Sequence, residues 1–152
     1  MRVLRVPLIC VCLVAGLAAC STPTPDAASF AAAPEHDLYP NETPELRALI
    51  LEAAARNDVP VSLIQRVVIR ESTHRPEARN GPYYGLMQIL PATARSMGFR
   101  GEPSDLLDAE TNLRYAVRYL RGAWLVSGGD EAEAVMWYAC GYYYEAKRLG
   151  LL

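Results

Sequence analysis

The sequence predicts a mostly α-helical, single small domain, and three observations carry that prediction. Apolar residues recur every three or four positions in several separate segments. Proline or glycine marks most of the ends of those segments. The first forty-odd of the 152 residues read as leader and tether, which leaves 43–152 for the fold.

The start "MRVLRVPLICVCLVAGLAAC" places Arg2 and Arg5 ahead of an uncharged, mostly apolar run from Val6 to Ala19. That is the pattern of a secretory signal peptide over 1–19, and it is short of the roughly 20 apolar residues a membrane-spanning helix needs. Its end, Leu17 to Cys20, resembles the lipobox of bacterial lipoproteins, which implies cleavage before Cys20 and acylation of that cysteine. From Cys20 to Glu42 the chain is rich in Pro, Ala, Ser and Thr and reads as a flexible tether.

Thr43 followed by Pro44 is an N-cap with proline at the first helical position. Leu46, Leu49, Ile50 and Ala53 then form one apolar stripe. After Asp58-Val59-Pro60 a second helix carries Val61, Ile64, Val67 and Val68 on one face. Ser72 to Tyr84 is loop, with room for a small β-hairpin. Pro91 to Met97 forms a short helix stopped by Gly98. A long stripe of Leu113, Ala116, Val117, Leu120 and Trp124 halts at Gly128-Gly129. Asp130 with Glu133 forms a capping box that opens a helix carrying Val135, Met136 and Ala139.

Composition removes several functions. From Cys20 on the chain holds 13 basic and 17 acidic residues, a net of −4, with no block of like charge, so a nucleic-acid partner is not expected. Cys10 and Cys12 belong to the leader and Cys20 to the anchor, so Cys140 has no partner for a disulfide. One thiol, His36 and His74 do not make a zinc site, and no metal or other cofactor is expected. His74 reads as a solvated loop residue.

One acid stands out. Glu71 lies three, four and seven residues after Val68, Val67 and Ile64, so on a helix its carboxylate shares the buried face. Burial and the nearby helix C-terminus both disfavour the charged form and raise the pKa, as a general acid near neutral pH requires. A glutamate ending a helix can also turn to solvent and pair with Arg75.

The segments "RES" at 70–72, "GLMQILPATA" at 85–94, "TNLRYAVRYL" at 111–120 and "YACG" at 138–141 resemble, in order and spacing, the soluble lytic transglycosylase family. Its catalytic domain is related to goose-type lysozyme. The resemblance implies a lysozyme-like fold and cleavage of the β-1,4 bond between N-acetylmuramic acid and N-acetylglucosamine in peptidoglycan. Glu71 matches the catalytic acid: it would protonate the glycosidic oxygen and then, as carboxylate, deprotonate the muramyl 6-hydroxyl, leaving a 1,6-anhydromuramyl end. Ser72 would help orient the acid, Met87 and Gln88 would line the sugar sites, and the Tyr138 hydroxyl would contact the acid. Gly85 matches a close-packed backbone position, and Asn112 a brace.

Two further contacts come from residue chemistry. Asn80, in "RNGPYY", can supply a polar contact where the family carries a serine. Tyr142 is the member of the Tyr142-Tyr143-Tyr144 run expected to stack on sugar. The match departs from the family in "YACG", where Ala139 replaces an asparagine and Cys140 brings a thiol near the site. Little chain follows "YYYEAKRLGLL", so a short groove is expected.

The expected protein is therefore a monomeric, lipid-anchored enzyme on the periplasmic face of a membrane, the outer membrane of a Gram-negative bacterium, acting on peptidoglycan strands. Two alternatives stand beside it. A hydrolytic muramidase on the same fold would need a second carboxylate from Glu77, Asp105 or Asp108 to activate water. A non-catalytic peptidoglycan-binding lipoprotein would need no acid at all.

Overall fold

The structure, a computed structural model, describes residues 37–151. The leader 1–19, Cys20 and most of the 20–42 tether lie outside the described residues. Helix α1 spans Pro44–Asn57, with the Thr43 hydroxyl oxygen accepting from the Leu46 N–H at 3.2 Å. It ends where Asp58 turns left-handed at φ 50°. Helix α2, Val61–Glu71, follows directly after Pro60. Strands β1 (Arg79–Asn80) and β2 (Tyr83–Tyr84) then pair antiparallel, Arg79 opposite Tyr84 and Asn80 opposite Tyr83. After α3 (Pro91–Ser96) comes a 3₁₀ helix, Pro103–Leu107.

Helix α4, Ala109–Val126, is the longest, and Asp108 caps it by accepting from the Thr111 N–H. Asp130 caps α5, Glu131–Cys140, in the same way through the Glu133 N–H. Helix α6 closes the fold at Tyr143–Arg148. The architecture is mostly helical with one small hairpin, as the periodicity predicts.

Helix α4 is the hub: α1, α3, α5, α6 and the 3₁₀ helix all pack on it, while α2 rests on α1 and α5. Its Ala116, Val117, Leu120 and Ala123 are fully buried in one core cluster with Ile50, Leu63, Ile64, Val67 and Val68. Each buried Val, Leu or Ile contributes about 1.5–3 kcal/mol relative to exposure, so this seam outweighs the weak propensity of the β-branched residues in α2.

Asn112 ties the hub to the segment after the hairpin. Its amide donates to the carbonyls of Tyr84 and Leu106, both at 2.8 Å, and its Oδ1 accepts from the Met87 N–H at 3.0 Å. Gly85 sits against this brace at φ 74°; a Cβ there would meet Leu106 O at 2.2 Å and the Asn112 amide nitrogen at 2.3 Å. Both residues do what their matches imply.

Three expectations are corrected. The packed chain begins before residue 43: Glu42 is buried, bonded to Arg47 through its Nε (2.6 Å) and Nη2 (2.5 Å), and Tyr39 stacks on His74. Composition hid this because one ion pair, not an apolar stripe, anchors the segment. His74 is not solvated but 1 % exposed, with Nε2 2.6 Å from Gln65 Oε1. On α5 the buried residues are Ala134 and Tyr138, while Met136 and Ala139 are exposed and Val135 half-buried. Tyr138 outcompetes them because its ring and its hydroxyl both find partners inside.

Candidate active site

Glu71 is the last residue of α2, where the buried stripe of Ile64, Val67 and Val68 meets the surface. Ser72 caps the helix C-terminus and the chain then turns through left-handed Thr73 and His74. The Glu71 side chain is 24 % exposed and opens into a cavity of about 340 Å³. Arg70, Glu71, Asn80, Tyr83, Gln88, Tyr138 and Ala139 line it, so three separated segments meet here, and Glu71 is the one carboxylic acid among them.

Burial raises the Glu71 pKa above the ordinary carboxylate value, against a smaller lowering by the Arg70 guanidinium. Arg70 Nε lies 3.4 Å from Glu71 Oε1. Among the described residues the Glu71 carboxylate accepts no hydrogen bond, so desolvation prevails. Arg75 takes no part in this pair: its Nε donates to the Ser72 carbonyl at 3.0 Å.

The other expected site residues divide. Gln88 lines the cavity with a left-handed backbone, φ 48°, a conformation uncommon outside glycine. Its amide nitrogen donates to the carbonyls of Ala78 (3.0 Å) and Gly85 (2.9 Å), while its Oε1 has no partner among the described residues. Asn80, exposed at the hairpin turn, also faces the cavity. Tyr138 lines it too, but its hydroxyl donates to the Met87 carbonyl at 2.8 Å and makes no hydrogen bond to the acid. Burial first, and then the charge of Glu71, pushes that hydroxyl well above its ordinary pKa.

Three residues stand back from the cavity. Met87 is fully buried and contributes backbone alone to the Tyr138 and Asn112 bonds. Ser72 is buried with its hydroxyl donating to the Val68 carbonyl at 3.3 Å. The Tyr142 hydroxyl donates to the Tyr119 carbonyl at 2.9 Å and its ring covers Gly122, so it braces α4. Its exposed neighbours Tyr143 and Tyr144 point elsewhere.

A second hollow of about 240 Å³ shares Tyr83, Gln88, Tyr138 and Ala139 with the first and continues to Tyr119 and Cys140. Cys140 is exposed and unpaired. The three acids that could serve a second carboxylate's role lie outside both hollows. Asp105 accepts from the Glu102 N–H, Asp108 caps α4, and Glu77 is exposed. A larger hollow of about 520 Å³ lies between α1 and Trp124 of α4, lined mainly by apolar residues. Its one acid, Asp58, is exposed and pairs with Arg121 at 2.9 Å.

Sequence reasoning missed Arg70 and Tyr83. Adjacent residues on a helix do not normally face each other, so the Arg70–Glu71 pair has no spacing signal. Tyr83 enters the site because the hairpin turns it toward Gln88, which its spacing alone does not reveal.

The transglycosylase SLT domain model matches residues 48–149, a span that contains α2, the hairpin, Gln88 and the whole of α5. With its lysozyme-like helical fold, this chain belongs to the transglycosylase SLT domain family, whose members are lytic transglycosylases of peptidoglycan.

Proposed function

We propose that the chain cleaves the bond between N-acetylmuramic acid and N-acetylglucosamine in peptidoglycan, with Glu71 acting first as acid and then as base. The observation that carries this reading is a single carboxylic acid, denied hydrogen bonds and partly desolvated, in a cavity that no second carboxylate lines. Protonated Glu71 gives its proton to the glycosidic oxygen as positive charge grows on the anomeric carbon. The carboxylate left behind removes the proton of the muramyl 6-hydroxyl, whose oxygen closes on that carbon. The products are a free 4-hydroxyl and a 1,6-anhydromuramyl end, and the acid is restored.

Because the nucleophile is part of the substrate, proximity replaces the water that a hydrolase must activate. The positions of Glu77, Asp105 and Asp108 favour this reading over hydrolysis. Around the acid, Asn80, Gln88 and Tyr138 line the walls against which the sugars would lie. Ser72, Met87 and Tyr142 act from behind: Ser72 ends α2, Met87 holds Tyr138 in place, and Tyr142 braces the helix behind the second hollow.

The same proposal takes the chain as a monomeric lipoprotein facing the periplasm and tethered to the outer membrane, a reading supported for the anchor by the signal-like stretch 1–19 and the lipobox-like end at Cys20. The test is digestion of purified sacculi by wild type and Glu71→Gln, with mass spectrometry of the released muropeptides. Anhydromuramyl ends from wild type and almost none from the variant are expected. Reducing muramic ends would establish the hydrolase, and equal release by both proteins would remove Glu71 from the chemistry.

A further inference from the structure

Arg70 is the cation of the groove, and its bonding differs from that of most other arginines in the domain. Arg47, Arg56, Arg66, Arg114, Arg121 and Arg148 each bond a carboxylate, and Arg75, Arg100 and Arg118 donate to carbonyls. The Arg70 guanidinium donates no hydrogen bond among the described residues. Its side chain is 53 % exposed in the wall of the cavity, and its one ionic neighbour is the catalytic acid.

Resting on the transglycosylase reading, we infer that Arg70 is a specificity-determining residue that binds a carboxylate of the substrate beside the bond Glu71 cleaves. The chemistry of the substrate supplies the partner. A muramyl residue carries a lactyl ether on the ring carbon next but one to the anomeric carbon, and the lactyl group ends in a carboxyl function. That carboxylate is free in peptide-stripped strands; in intact strands it is amide-linked and the attached peptide brings its own carboxylates. A planar guanidinium whose two terminal NH₂ groups have no partner among the described residues suits a carboxylate in two-pronged geometry. N-acetylglucosamine has no such group, so this contact distinguishes the two alternating sugars and sets which linkage faces Glu71. It also works against the chain's net negative charge, which by itself repels an anionic glycan.

The test uses the full-length protein and three substrates: peptide-stripped strands, the same strands with carboxylates converted to methylamides, and peptide-bearing strands. Wild type is expected to lose roughly tenfold in kcat/KM on the amidated strands, mostly through KM, in keeping with loss of one charge-assisted hydrogen-bonded contact. In Arg70→Gln the ratio between charged and amidated strands falls to near one, and Arg70→Lys restores part of it. Preference for stripped strands identifies the lactyl carboxylate, and preference for peptide-bearing strands a peptide carboxylate; either supports the assignment. Arg70→Gln that leaves unchanged both the charged-to-amidated ratio and the preference between stripped and peptide-bearing strands overturns it.

Binding of Glu71→Gln, with and without Arg70→Gln, to the charged and amidated stripped strands separates this inference from the proposed activity. Charge-dependent binding that disappears with Arg70 sustains the inference even if wild type releases no anhydro product. Binding that ignores the carboxylate, in an otherwise active enzyme, overturns the inference alone.

Discussion

Glu42 and Glu71 are both withdrawn from water beside an arginine, yet their protons are held in opposite ways. Glu42 is the more buried of the two, and burial alone would raise its pKa. Donors from Arg47, the Tyr39 N–H and the Gln65 amide instead hold it down at about 2. Glu71 has no such donors, only the Arg70 guanidinium at 3.4 Å, and burial raises its pKa. Desolvation is common to both; what separates them is the supply of hydrogen bonds to the charged form.

The rest of the buried cluster follows from Glu42. Because the carboxylate can only accept, Gln65 must turn its NH₂ toward Glu42 and its oxygen toward His74, which therefore carries its proton on Nε2. Burial lowers the pKa of His74 against the opposing pull of Glu42, and the ring stays neutral under its Tyr39 stack. This cluster clamps the chain ahead of α1 to the turn three residues past Glu71. One carboxylate is committed to structure and the other kept available for protons.

The largest effect expected is on catalysis. Glu71→Gln lowers turnover at least about 100-fold, as loss of a general acid does, while Tm is no lower than wild type because a desolvated, unbonded charge is removed. Steady-state assay and calorimetry on the same sample check both halves. Glu42→Gln gives the reverse result. It costs on the order of 3 kcal/mol at neutral pH, from a folded pKa of about 2 against an ordinary 4.5, and is read from urea unfolding.

The wild-type pH dependence has the corresponding sign. A carboxyl whose folded pKa lies below its unfolded value stabilises the fold above that unfolded value. The Glu42 contribution is therefore present above pH 4.5 and lost as pH falls toward 2. His74, lowered from 6.5, removes further stability as pH falls through that value, since only the unfolded chain takes up its proton there. Urea titrations from pH 7 down to pH 2 check this, and Glu42→Gln flattens the lower part of the curve.

A smaller effect belongs to Arg70. In the proposed mechanism activity needs protonated Glu71, so kcat/KM is expected to decline as pH rises through the raised pKa of Glu71. Arg70→Gln removes the one charge that lowers this pKa and moves the decline upward. The least effect comes from Ala139→Asn, which places an amide in the wall shared by the two hollows. It raises KM less than Arg70→Gln and leaves the pH profile in place, as substrate titrations at several pH values will show.

How much of this was legible in the sequence depended on the kind of interaction. The caps at Thr43 and Asp130, the α4 stripe and Glu71 at the end of α2 are local or periodic, and all were readable. The Glu42–Gln65–His74 cluster spans 32 residues of chain with no period, so Glu42 looked like tether and His74 like loop. Of the expected site residues, Glu71, Gln88, Asn80 and Tyr138 line the cavity, but Met87, Ser72 and Tyr142 lie behind its wall, because a motif places a residue along the chain without saying whether its side chain or its backbone faces the groove. Arg70 was passed over for the same reason: its exposure counts only because of where Glu71 points.

The most direct test is a ¹³C NMR titration of the glutamate side-chain carboxyls, with Glu71→Gln and Glu42→Gln used to assign the two resonances. The account predicts that Glu71 titrates above the ordinary 4.5 while Glu42, in the same sample, titrates near 2. A Glu71 carboxyl titrating at or below 4.5 would contradict it, because an acid already ionised in that groove has no proton to give.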